Sequence, residues 1–82
     1  MATPLLTVLI TSADRVLMQG TAQSLVFPGE QGVFEVLPIH HPLVSRLIEG
    51  TLEIDGRALA IRGGVMRVID DLVTAVVELP DR

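Results

Sequence analysis

Turn-forming residues interrupt this chain so often that no stretch keeps an i, i+3, i+4, i+7 apolar pattern for three helical turns. Ser12-Ala-Asp-Arg15, Pro28-Gly29, Gln31-Gly32, Pro38, Pro42, Glu49-Gly50, Asp55-Gly56, Gly63-Gly64 and Asp70-Asp71 punctuate it from end to end. Between these breaks lie short runs with apolar residues at alternate positions, the period of a half-buried strand. Leu6, Val8 and Ile10 share a face of a strand over residues 5–11. A longer β stretch over 16–27 is interrupted near Gln19-Gly20, where the glycine predicts a bulge or bend. Further strands are expected over 33–37, 43–48, 51–55, 57–62, 65–69 and 72–79. Asp55-Gly56 carries the strongest hairpin signal, because both residues tolerate the positive φ of the two-residue primed turns. A second hairpin is expected across Glu49-Gly50, pairing 43–48 with 51–55. The expected fold is all-β: a two-sheet β-sandwich or flattened barrel of about ten short strands, residues 1–82 forming a single domain.

One segment stands apart. Phe27-Pro-Gly-Glu-Gln-Gly-Val-Phe-Glu-Val-Leu-Pro-Ile-His-His-Pro-Leu43 sets a short apolar strand between two Pro-bracketed turns, and the second turn holds both histidines. Proline presets φ and glycine accepts φ > 0, so the first turn is a tight reversal. A rigid loop pair at one end of a β domain is a position suited to recognition.

Composition narrows the function. With 82 residues, no cysteine and 49% hydrophobic residues, the chain is small and apolar, and no disulfide stiffens it. A domain this small has a high surface-to-volume ratio, so part of that apolar complement is expected on the outside, for a partner to cover. The net charge of −4, the absence of lysine and only two aromatic residues argue against nucleic acid. The N-terminal Met1-Ala-Thr-Pro4 has no basic region, and no apolar run is long enough to span a bilayer, so a soluble protein without a targeting signal is expected.

Catalytic readings find little support. Adjacent histidines on a strand point to opposite faces, which keeps His40 and His41 from sharing one ion, and Glu35 and Glu49 have no ligand spacing to them. Ser12, Ser24 and Ser45 lack a nucleophile-elbow context. Arg62-Gly63-Gly64 lacks the spacing of a phosphate loop and reads as a bulge or close strand approach. Asp70-Asp71 reads as a solvated turn. The expectation is a non-enzyme with no metal and no cofactor.

The chain resembles, over its whole length, the N-terminal β-sandwich of the epsilon subunit of F-type ATP synthases. Leu25-Val-Phe-Pro-Gly29, Gly32, Val36-Leu37-Pro38, His40, Pro42-Leu43, Gly50 with Leu52, and Gly63-Gly64 carry the resemblance in order and spacing. It implies a rotor part of the central stalk that binds the gamma subunit and contacts the c-ring, coupling proton flow to ATP synthesis or hydrolysis. It also implies a place on the cytoplasmic face of the inner membrane, with membrane contact only through the complex. Gln31, Val33, Glu35 and His40 are the candidate ring-contacting residues.

Departures are equally specific. Ile39 and Glu35 stand where the family usually has glycine, His41 replaces a small residue, Arg62 a serine, and Val33 holds a position that is often acidic. They imply an altered loop, with Glu30 or Glu35 in place of the acidic contact. The family's common C-terminal helices have no counterpart in the sequence up to Arg82. Two other readings remain open: a free-standing β-sandwich adaptor for a different protein, and a small metal-dependent barrel enzyme using His40 and Glu35.

Overall fold

The computed structural model describes residues 3–80. They form nine strands: β1 (Leu6–Thr11), β2 (Val16–Ala22), β3 (Leu25–Gly29), β4 (Gly32–Val36), β5 (Leu43–Leu47), β6 (Gly50–Ile54), β7 (Arg57–Ile61), β8 (Gly63–Ile69) and β9 (Leu72–Glu78). No helix interrupts them among the described residues. The hydrogen-bonded path runs β2-β1-β9-β8-β5-β3-β6-β7, with β4 added to the free side of β3. Every ladder is antiparallel except β1 with β9, which pair in parallel from Thr7–Leu72 to Thr11–Val76.

Alternation decides which faces turn inward. Leu6, Val8 and Ile10 of β1, Met66 and Val68 of β8, and Val73, Ala75 and Val77 of β9 are all buried. They meet Leu25, Phe27, Val36, Leu52 and Ile61 from the other half of the curled sheet in one hydrophobic cluster. Phe27 is fully buried and stacks on its cross-strand partner Phe34, ring centroids 5.6 Å apart. Such a pair adds about 0.5–1.5 kcal/mol beyond the area it buries.

The expected hairpin across Glu49-Gly50 does not form. β5 pairs with β8, from Leu43–Val68 to Leu47–Gly64, and β6 pairs with β3 and β7. Both β5 and β6 run antiparallel to β3, Leu47 opposite Gly29 and Ile54 opposite Leu25, so the chain passes onward through Ile48 and Glu49 from one layer to the other. A primed turn needs positive φ, and neither Glu49 nor Gly50 has it. Gly50 answers a different need: a Cβ there would sit 2.8 Å from the Cβ of Pro28.

Two further breaks lie elsewhere than expected. β2 and β3 separate at Gln23 and Ser24, while Gly20 pairs with Val8 inside β2, and the register shift falls between Ile10 and Thr11. Gly63 and Gly64 lie within β8, and the break falls at Arg62. The close strand approach read at this glycine pair is present, because a Cβ on Gly64 (φ 154°) would collide with the Val76 carbonyl and lie 2.9 Å from Val77 Cα.

Candidate functional site

The segment singled out in the sequence builds one wall of an open groove. β3 and β4 form a hairpin from Leu25–Val36 to Gly29–Gly32, leaving Glu30 and Gln31 as its two-residue loop. Phe34 packs so closely over Gly29 that a Cβ there would lie 2.6 Å from Cε1 of the ring, which is why the turn needs glycine. With Val36 buried and Phe34 half-buried, the alternation of β4 turns Val33 and Glu35 outward. β5 supplies the facing wall with Leu43, Val44, Ser45 and Arg46. The hairpin tip is tied to that wall, since the Glu30 amide donates to the Arg46 carbonyl at 3.0 Å.

All four candidate residues, Gln31, Val33, Glu35 and His40, line this groove of about 550 Å³. The two Pro-bracketed turns are not a pair at one end, however. A strand of five residues separates them, so they flank opposite ends of β4. The groove mixes carboxylates (Glu30, Glu35) with Arg46 and His40 around apolar Val33 and Val44, which are 75% and 67% exposed. It suits a polypeptide surface carrying both polar and apolar groups.

Backbone geometry fixes where His40 stands. Ile39 has φ 66°, the left-handed region that costs a β-branched residue the most and that glycine enters freely. Its amide donates to Asp71 Oδ1 at 2.7 Å. The Asp71 carbonyl in turn accepts from the Thr7 amide at 2.8 Å. Asp71 therefore joins β1, the β8–β9 turn and the loop over residues 37–42, and the reading of Asp70-Asp71 as a merely solvated turn is corrected. The His40 Nδ1 lies 2.6 Å from the His41 carbonyl oxygen, so a proton on Nδ1 is donated to the turn backbone. Among the described residues no group of three or more His, Cys, Asp or Glu side chains could hold a metal ion.

A second surface was legible only as a surplus of apolar residues. The register aligns the outward residues of four strands into rows: Val16, Thr11, Val76 and Val65, and, one step along, Gln19, Leu9, Thr74 and Arg67. A third row holds Thr21, Thr7, Leu72 and Ile69. β5 continues the first two with Arg46 and Val44. Arginines are the only charged residues in these rows, while Val76 is 53% exposed and Val16 56%. No helix among the described residues is long and apolar enough to cross a membrane.

The fold is a curled β-sandwich that carries an exposed face rich in valine and threonine and an open groove. The chain belongs to the family of the ATP synthase delta/epsilon chain β-sandwich domain, whose model matches residues 5–79. It is 36% identical over 77 residues to the ATP synthase epsilon chain of Leptospira borgpetersenii serovar Hardjo-bovis, covering 89% of this chain and 61% of that one. It is 39% identical over 74 residues to the epsilon chain of a Nitratiruptor species, covering 84% of this chain and 57% of the relative. The chain thus spans little more than half the length of these relatives. Among solved structures, a chain of the Euglena gracilis mitochondrial ATP synthase (OSCP/F1/c-ring, rotational state 1) superposes with a TM-score of 0.82 at 23% identity. It covers 94% of this chain and 52% of that one. A chain of the Tetrahymena thermophila mitochondrial ATP synthase central stalk and c-ring gives 0.77 at 10% identity, over 95% of this chain and 66% of that one. These two share the fold. The family and the relatives support an ATP synthase epsilon subunit.

Proposed function

We propose that this chain is a non-catalytic rotor part of an F-type ATP synthase: it grips the gamma subunit with its outer sheet face and rests its groove on the polar loops of the c-ring. The observation that carries the reading is the row of Val16, Thr11, Val76 and Val65, which sets three exposed valines across four hydrogen-bonded strands with no charged residue among them. A permanent joint favours a broad apolar contact over isolated ion pairs, and a densely packed sandwich behind it transmits strain without yielding. The groove supplies the second contact through Gln31, Val33, Glu35 and His40. Val33 cannot make an acidic contact, so that role falls to Glu30 or Glu35 at the same groove. Membrane association is through the complex, on the cytoplasmic face of the inner membrane, with residues 1–82 acting as one domain.

Two variants test the two contacts separately. Val76→Asp places an unpaired charge in the proposed gamma joint and should abolish co-purification with gamma while leaving the melting temperature of the chain within a few degrees. His40→Ala should leave the complex assembled but lower proton pumping relative to ATP hydrolysis in inverted vesicles. Retention of gamma by Val76→Asp contradicts the first contact, and an unchanged pumping-to-hydrolysis ratio in His40→Ala contradicts the second.

A further inference from the structure

We infer that Asp71 is a positioning residue: its carboxylate holds the loop over residues 37–42 in the one geometry that sets His40 into the groove, and thereby sets the efficiency of coupling. This rests on the reading that the groove meets the ring. A β-branched residue does not stay at φ 66° unaided, because its Cβ and the adjoining backbone crowd each other there. Ile39 is also 81% exposed, so core packing does not pin it. What holds it is the hydrogen bond that its backbone amide donates to Asp71 Oδ1. Pro38 and Pro42 stiffen the loop on both sides, so a rotation at Ile39 is passed on to His40 and His41 rather than absorbed locally.

The origin of the holding group is equally well determined. Asp70 and Asp71 both have positive φ (51° and 60°) in the two-residue turn between Ile69 and Leu72. Asp71 is anchored through its carbonyl to the Thr7 amide, which fixes it on the β1 strand while its side chain reaches the loop. An amide donating to a carboxylate is among the stronger hydrogen bonds of a protein surface. One residue thus couples the floor of the sandwich to the tip of the loop.

The experiment compares Asp71→Ala, Asp71→Asn and His40→Ala by two readouts. Hydrogen exchange of the Ile39 amide in the purified chain reads the bond itself. The ratio of proton pumping to ATP hydrolysis in inverted vesicles, with the chain at wild-type stoichiometry, reads its consequence. Asp71→Ala should speed Ile39 exchange by about tenfold or more and lower the ratio. Asp71→Asn keeps an acceptor oxygen and should restore most of both, which a merely destabilising role would not produce. Asp55→Ala serves as the control for lost stability and should leave the ratio unchanged. Exchange unaffected by Asp71→Ala refutes the bond. Faster exchange with a wild-type ratio, while His40→Ala lowers that ratio, overturns the positioning role and leaves the ring contact standing. A wild-type ratio in both Asp71→Ala and His40→Ala overturns the ring contact together with the inference built on it.

Discussion

Two aspartates in primed turns perform the same local chemistry for different ends. Asp55 (φ 48°) precedes Gly56 (φ 83°) between β6 and β7, and Asp70 precedes Asp71 between β8 and β9. In each turn one carboxylate reaches back about thirty residues to backbone amides: Asp55 Oδ1 accepts from Gln23 at 2.8 Å and Ser24 at 2.9 Å, and Asp71 Oδ1 accepts from Ile39 at 2.7 Å. The Asp55 clamp closes an unstrained bend between two strands, and the Asp55 amide returns a bond to the Ser24 carbonyl. The Asp71 clamp closes on a left-handed isoleucine beside the groove. The first bond stabilises a fold, whereas the second is spent on holding a shape that the local sequence resists.

Several substitutions break or sharpen that contrast. The largest effect removes both clamps at once: Gly64→Val drives a side chain into the β9 backbone and should leave the chain largely unfolded by circular dichroism. Next comes Asp55→Ala, which strands two amides and should cost about 2–4 kcal/mol in urea unfolding. Asp71→Ala loses one hydrogen bond from a backbone amide and should cost about 1–2 kcal/mol, partly offset because Ile39 can then leave its strained conformation. If Asp71→Ala proved the costlier of the two, the contrast between a stabilising and a shape-holding clamp would be wrong. The smallest change is of opposite sign. Ile39→Gly should raise the unfolding free energy by a few tenths to about 1 kcal/mol, the relief of strain exceeding the added chain entropy of glycine. A loss of stability there would mean that Ile39 is not strained.

Much of the sandwich was legible because alternation is a local signal. Leu6-Val8-Ile10 and Val73-Ala75-Val77 each mark one face of a strand without reference to anything distant, and both sets are buried. Asp55-Gly56 declares its turn in the same way. Pairing between remote strands is not local, and there the reading failed at Glu49-Gly50. A glycine needed for room beside Pro28 looks in sequence like a glycine needed for positive φ. Gly63-Gly64 misled in a related way, since the pair begins β8 and the break falls at Arg62. At the groove, Gln31, Val33, Glu35 and His40 were singled out through the family resemblance, and all four line one groove. The opposing wall of Val44 and Arg46 was not, because it depends on how β5 lies against the hairpin. The destination of the Asp71 carboxylate, thirty-two residues away at Ile39, has no sequence signature.

The central claim is that this domain is held on two sides within a rotor. A cryo-EM map of the complete membrane-extracted enzyme containing this chain tests it most directly. The account predicts gamma covering Val16, Val65 and Val76, and the groove of Gln31, Val33, Glu35 and His40 seated on c-ring loops. A map in which the valine face and the groove both meet solvent, or in which the chain is not part of the enzyme, would contradict it.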